Sequence, residues 1–191
     1  MLDHYSLSVS VAPTARPISA ADLATELSID SADDDKLEAL IDEATRHLEW
    51  ACGRALCTQT IQEAYDRLPQ DNLARPLRLH RGPVQSVTSI TYTDTAGSSQ
   101  TWASTNYTAD LASDPARIGL DPDGTLPTVE TNDLAVFTVT YVAGYGGAAD
   151  VPAPAKEFIY TYCRWRYERR PPDENERRHM LSCLAAMTVD F

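Results

Sequence analysis

The chain has 191 residues, 43% hydrophobic and 23% charged, which suits one well-built core, is short for two, and excludes a disordered chain. Twenty-eight acidic against 16 basic residues give a formal charge of −12, which favours solubility and repels nucleic acid and anionic membranes as a whole without excluding a local basic patch. No charged-then-apolar leader opens the sequence and no run of about 18 apolar residues occurs, so no membrane association is expected and synthesis in the cytoplasm is.

Residues 1–18 carry Pro13 and Pro17 and few large apolar residues; an extended arm is expected. Ser19 can cap a short helix, with Asp22 completing a capping box. The strongest helix signal follows, from Ser31 to Leu56. Leu37, Leu40, Ile41, Ala44, Leu48 and Ala51 recur at three- and four-residue steps, one face of a helix. Ser31 can cap it, Asp33, Asp34 and Asp35 suit the positive end of its dipole, and Gly53 can end it in a left-handed turn. Ile29 and Asp30 would make the turn between the two helices. About 22 helical residues span roughly 33 Å, so a long strut in a helical hairpin is expected. From Asp22 to Glu49, ten acidic residues face only Lys36 and Arg46.

After Gly53 the period changes to two. Residues 57–66 alternate loosely, and Leu77 and Leu79 alternate with Arg78 and His80. Val84–Asp94 and Leu134–Gly144 are rich in β-branched residues and read as strands. Gly97-Ser98-Ser99 marks a hairpin turn, and 100–111 can supply returning strands. Residues 112–133 are rich in Asp, Pro, Gly and Thr, with Ala116–Leu120 alone strand-like. Pro152 and Pro154 suit the first turn of a helix that Pro171-Pro172 ends. The expected fold class is α+β: a helical hairpin with one long helix, one small antiparallel sheet of four to six strands inserted in the middle, and C-terminal helices. The expected divisions are an arm (1–18), a single domain (helical 19–56, β-rich 57–147, helical 152–179) and an apolar tail (180–191).

Little of this looks catalytic. Gly144-Tyr145-Gly146-Gly147-Ala148-Ala149 fits a loose dinucleotide loop, but two prolines intervene before the helix and no later parallel strands follow. Asp121-Pro122-Asp123-Gly124 lacks the third ligand and closing glutamate of a calcium loop, and turn chemistry explains it. Asp33–Asp35 is a favourable helix start without a metal. The cysteines at 52, 57, 163 and 183 form no CxxC pair and no zinc spacing, so reduced thiols are expected. His4, His47, His80 and His179 are scattered. No catalytic, cofactor or metal residues are assigned.

Two segments remain. Arg164, Arg166, Arg169, Arg170, Arg177 and Arg178, interleaved with Trp165 and Tyr167, form the one basic and aromatic cluster. It admits contact with nucleic acid, charge pairing within or between subunits, or a solvated face. Leu181, Leu184, Met187, Val189 and Phe191 make the last residues apolar. Such a tail either folds back on the core or inserts into a partner.

Three ordered blocks carry a resemblance: Glu49–Leu56 closing the helical hairpin; Leu77-Arg78-Leu79-His80-Arg81-Gly82-Pro83-Val84 through Tyr92; and Val139–Gly146, then Val151-Pro152 and a helix with Trp165 and Tyr167-Glu168-Arg169-Arg170. Together, over residues 19–170, the chain resembles the head–tail connector (adaptor) proteins of tailed bacteriophages and phage-like gene-transfer particles. The resemblance implies a non-enzymatic homo-oligomeric ring, typically of twelve subunits, made in the bacterial cytoplasm. It would sit at the head–tail junction between the portal and the stopper or tail-terminator, with DNA passing through its centre. The final segment, with Leu181, Leu184, Met187, Val189 and Phe191, is then expected to bind the portal, and the six arginines to meet acidic surface on a neighbour. The rival expectations are a small metal-dependent hydrolase, and a nucleic-acid-binding module built on the Arg164–Arg178 cluster.

Overall fold

The computed structural model describes residues 5–29, 34–68, 76–130 and 133–188. Asp30, Ser31, Asp33, Val189 and Phe191, which carried expectations about a turn, a helix start and the tail, lie outside the described residues. Two compact units form: Met1–Ala12 with Gln59–Ala143, and Pro13–Thr58 with Gly144–Phe191.

The first unit is built of strands. β1 (Tyr5–Val11), β2 (Gln59–Tyr65), β4 (Val84–Thr93), β5 (Ser99–Thr101) and β8 (Phe137–Ala143) form an antiparallel sheet in the order β1-β2-β8-β4-β5. β3 (Leu77–Arg78), β6 (Tyr107–Asp110) and β7 (Arg117–Leu120) form a second antiparallel sheet, in the order β3-β7-β6. Alternate side chains of β2 and β8 are buried, Ile61, Glu63 and Tyr65 on one strand and Phe137, Val139 and Tyr141 on the other. This is the two-residue period of a sheet with one face in the core. Trp102, just past β5, lies 6.0 Å from the Phe137 ring and 5.1 Å from that of Tyr107, and its indole N–H donates to the Thr125 carbonyl at 2.9 Å. It thereby ties strands of both sheets together.

The second unit is helical. α1 (Ala20–Leu27) starts on the capping box of Ser19 and Asp22, and α2 (Asp34–Cys52) buries Leu37, Ile41, Ala44, Leu48 and Cys52 along one face. Gly53, at φ 66°, closes α2 in the left-handed conformation its position predicts. α3 (Ala153–Tyr167) follows Pro152 and contributes Phe158, Ile159, Tyr162 and Cys163; α4 (Glu174–Met187), capped by Asp173 with Glu176, contributes Cys183 and Met187. These residues share one core with Ile18, Leu23, Cys57 and Val151. Each large apolar side chain there contributes about 1.5–3 kcal/mol relative to exposure.

The expected fold class is overturned. Among the described residues there is no helical hairpin on one long helix with one small inserted sheet; four helices and two antiparallel sheets, of five and three strands, take its place. Two physical causes are evident. Residues 5–11 alternate Tyr, Leu, Val and Val with Ser, a strand period whose serines hide it in composition, and they add a strand to the larger sheet. Arg117–Leu120 also pairs on one side with Leu77–Arg78 and on the other with Tyr107–Asp110, which follows the turn at Ser104–Asn106, so these segments form a second sheet. On the helical side, α2 packs on α1, α3 and α4, so its apolar face serves a four-helix core and not a hairpin.

Candidate functional site

Most of the arginine cluster is occupied by carboxylates of this chain. On α3, Arg164 donates to Glu26 of α1 at 2.5 Å and Arg166 to Glu43 of α2 at 2.8 Å. The Tyr162 hydroxyl also donates to Glu43, at 2.9 Å. Burial pushes the Glu43 carboxyl up, but these bonds from Tyr162 and Arg166 outweigh it and hold it below its ordinary value. Arg170 grips Glu176 through two bonds, of 2.7 and 2.6 Å, and also meets Glu168. The fork geometry holds Glu176 down at about 2. Arg177 donates to the Pro172 carbonyl at 3.1 Å, and Arg178 to Glu174 at 2.9 Å across an exposed turn of α4. Arg169, exposed, sits at φ 53° where α3 ends. The local reason for this concentration is the acidic stretch on α1 and α2: Lys36, its one lysine, lies 5.1 Å from the centre of the Tyr167 ring.

The apolar closing residues divide by helix face. Met187 (3% exposed) is buried and Leu184 packs against the core, whereas Leu181 is 65% exposed. The Arg54 guanidinium donates to the Met187 carbonyl at 3.0 Å, fastening the end of α4. Trp50, on the side of α2 opposite its buried face, is 79% exposed.

A buried polar cluster in the strand unit escaped the sequence. Glu63 is fully buried. It accepts from the Tyr65 hydroxyl at 2.5 Å, the Tyr141 hydroxyl at 2.9 Å and the His80 amide at 3.2 Å, and the His80 ring Nδ1 contacts it as well. Tyr5 of β1 stacks on the His80 ring, centroids 3.8 Å apart. Burial, and next the Glu63 charge, raise both buried tyrosines well above their ordinary value. Partners 17 and 78 residues apart leave no short motif; the one available signal was a glutamate at an inward position of β2. Every Glu63 oxygen is taken up by these internal bonds, so the cluster fastens strands together.

The glycine loop after β8 is a turn. Gly144 has φ 127°, and a side chain there would meet the Cys57 carbonyl oxygen at 2.5 Å. The Gly147 amide donates to Asp150, whose side chain caps a single 3-10 turn. Asp121 likewise accepts from the Asp123 amide and the Thr108 hydroxyl. Two open clefts of about 470 Å³ indent the surface. Arg16, Asp22, Glu38, Lys156 and Tyr160 help line one, and Asp94, Trp102, Asn106 and Thr125 the other. Burial raises the thiols of Cys57, to about 11, and Cys163, to about 12.

No family model matches the chain, and no curated protein does. Solved structures do match. A chain of the "Virion of native gene transfer agent (GTA) particle" superposes with a TM-score of 0.74 at 17% identity, over 97% of this chain and 96% of that one. This chain shares its fold with a gene-transfer-agent particle chain. A chain from the "Neck of empty GTA particle computed with C6 symmetry" gives 0.75 at 17% identity, again over 97% and 96%. One from the "Neck of native GTA particle computed with C12 symmetry" gives 0.73 at 20%, over 98% and 96%. The match extends through both units and all four helices, and little of either chain is left outside it.

Proposed function

We propose that this chain is a structural, non-enzymatic subunit of the neck of a phage-like particle: a connector (adaptor) in a ring between the portal and the stopper or tail, with DNA passing through the centre. The observation that carries this is the end-to-end match of fold to chains of gene-transfer-agent necks. The C6 and C12 symmetries of two of those necks support a cyclic assembly, twelve subunits being the number we favour. The net charge of −12 suits a lumen through which DNA slides without adhering. Four of the six clustered arginines are paired with carboxylates of the same chain, which weighs against a nucleic-acid module built on them.

For the portal, we propose the outward face of α4. Leu181 is its exposed large apolar residue, while Met187 serves the core and Val189 and Phe191 remain candidates beyond the described residues. Removing the gene from a particle-producing strain is expected to leave filled heads and separate tails. Normal tailed particles without the chain would refute the connector role. Leu181→Asp is expected to weaken portal binding at least tenfold with the fold intact; unchanged binding would move the portal contact off α4.

A further inference from the structure

Both edges of the five-stranded sheet are nearly free of charge. From Tyr5 to Ala15 no residue is charged, and from Gly82 to Ala109 Asp94 alone is. That carboxylate is spent within its own hairpin, accepting from the Ala96 and Ser98 amides at 2.9 Å and from Gln100 at 3.0 Å. Nearly one residue in four of the whole chain is charged, and two copies at −12 repel each other. The two sheet edges are where copies can approach with least repulsion.

β1 pairs with β2 on one side and, among the described residues, with no strand on the other. Tyr5, Val9 and Val11 are 45, 50 and 57% exposed, although Tyr5 and Val9 stand opposite the buried Tyr65 and Ile61. They continue a buried face outward into solvent. Soluble proteins ordinarily guard such an edge with lysine, proline or an inward charge. β1 has none of these, and its one irregularity is a bulge between Val9 and Val11. At the opposite edge, all three residues of β5 are exposed.

We infer that β1 of one copy adds alongside β5 of the next, so that the sheets of neighbouring subunits run on around the ring. The inference rests on the ring proposed above. Two different edges make the contact heterologous, as a cyclic ring requires; β1 against β1 would close a two-fold pair and stop. Backbone pairing supplies the affinity, and Tyr5, Leu7 and Val9 the apolar cover.

The test uses the full chain assembled on the purified portal of its particle, carrying Ser8→Cys, Gln100→Cys or both. The four native thiols are buried. A short bismaleimide bridges adjacent strands, which lie about 4.8 Å apart. The double variant is expected to give a ladder of covalent multimers beyond the dimer, and neither single variant any product. In hydrogen exchange, the β1 amides directed away from β2 are expected to slow at least tenfold on assembly. Val9→Glu is expected to weaken assembly at least tenfold while its melting temperature stays within about 2 °C of the parent. Dimers from Ser8→Cys alone, or an assembled ring with no ladder and unchanged β1 exchange, would overturn the inference and leave the ring standing. Failure of the parent chain to assemble on an intact portal would overturn the ring and this contact together.

Discussion

Glu63 is the polar hub of the strand unit, and its removal is the most informative perturbation of the fold. Glu63→Ala deletes the acceptor of the Tyr65 and Tyr141 hydroxyls and the His80 amide, all donors in or beside the buried face of the sheet. A buried donor left without a partner costs about 1–3 kcal/mol. Relaxation of the tyrosines recovers part of three such costs, and a net loss of about 3–5 kcal/mol is expected. For a chain of this size that lowers the melting temperature by roughly 10 °C. Glu63→Gln retains one acceptor oxygen and should lose about 1–2 kcal/mol, while Tyr65→Phe and Tyr141→Phe, removing one donor each, should lose about 1 kcal/mol apiece. Urea melts of the four variants, and of Glu63→Ala combined with each tyrosine variant, complete the set. The network also predicts that the tyrosine losses shrink in the Glu63→Ala background, because the acceptor is already gone. A loss below about 1 kcal/mol for Glu63→Ala, or strict additivity with the tyrosine variants, would refute the hub.

Further predictions follow from the helical unit. Met187→Ala should destabilise it by about 2–4 kcal/mol and Leu181→Ala by less than about 0.5, by denaturant melts, since the first is buried and the second 65% exposed. Gly144→Ala should cost more than about 2 kcal/mol, because both the positive φ and the Cys57 carbonyl oppose a side chain; a neutral substitution would place the turn elsewhere. Arg170 holds Glu176 below its unfolded value, at about 2, so its stabilisation is present above the ordinary glutamate range and is lost as pH falls from about 4.5 towards 2. Arg170→Met should flatten that part of the stability-against-pH curve, measured by thermal melts in steps of pH.

What the sequence disclosed depended on whether a feature was local. β4 and β8 announce themselves through runs of β-branched residues, and α2 through Leu37, Ile41, Ala44 and Leu48 at helical spacing. Capping residues such as Ser19 and the end at Gly53 are equally local. β1 was hidden by serines on its outer positions, and the second sheet by the distance from Leu77 to Ile118. Pairing across such a span is decided by packing and leaves no periodic mark. In the closing segment, apolar content marks the last residues as one unit, but helical spacing sends Met180, Cys183, Leu184 and Met187 inward and leaves Leu181 outside. Glu63 joins partners on separate segments, and only the folded chain brings them together.

The most direct test of the connector account is sedimentation of the full chain with the purified portal of its particle, the bound fraction being quantified and viewed by electron microscopy. The account predicts closed rings on one end of the portal, with one copy of this chain per portal subunit. Absence of binding to an intact portal, or binding as scattered single copies at low stoichiometry, would contradict it.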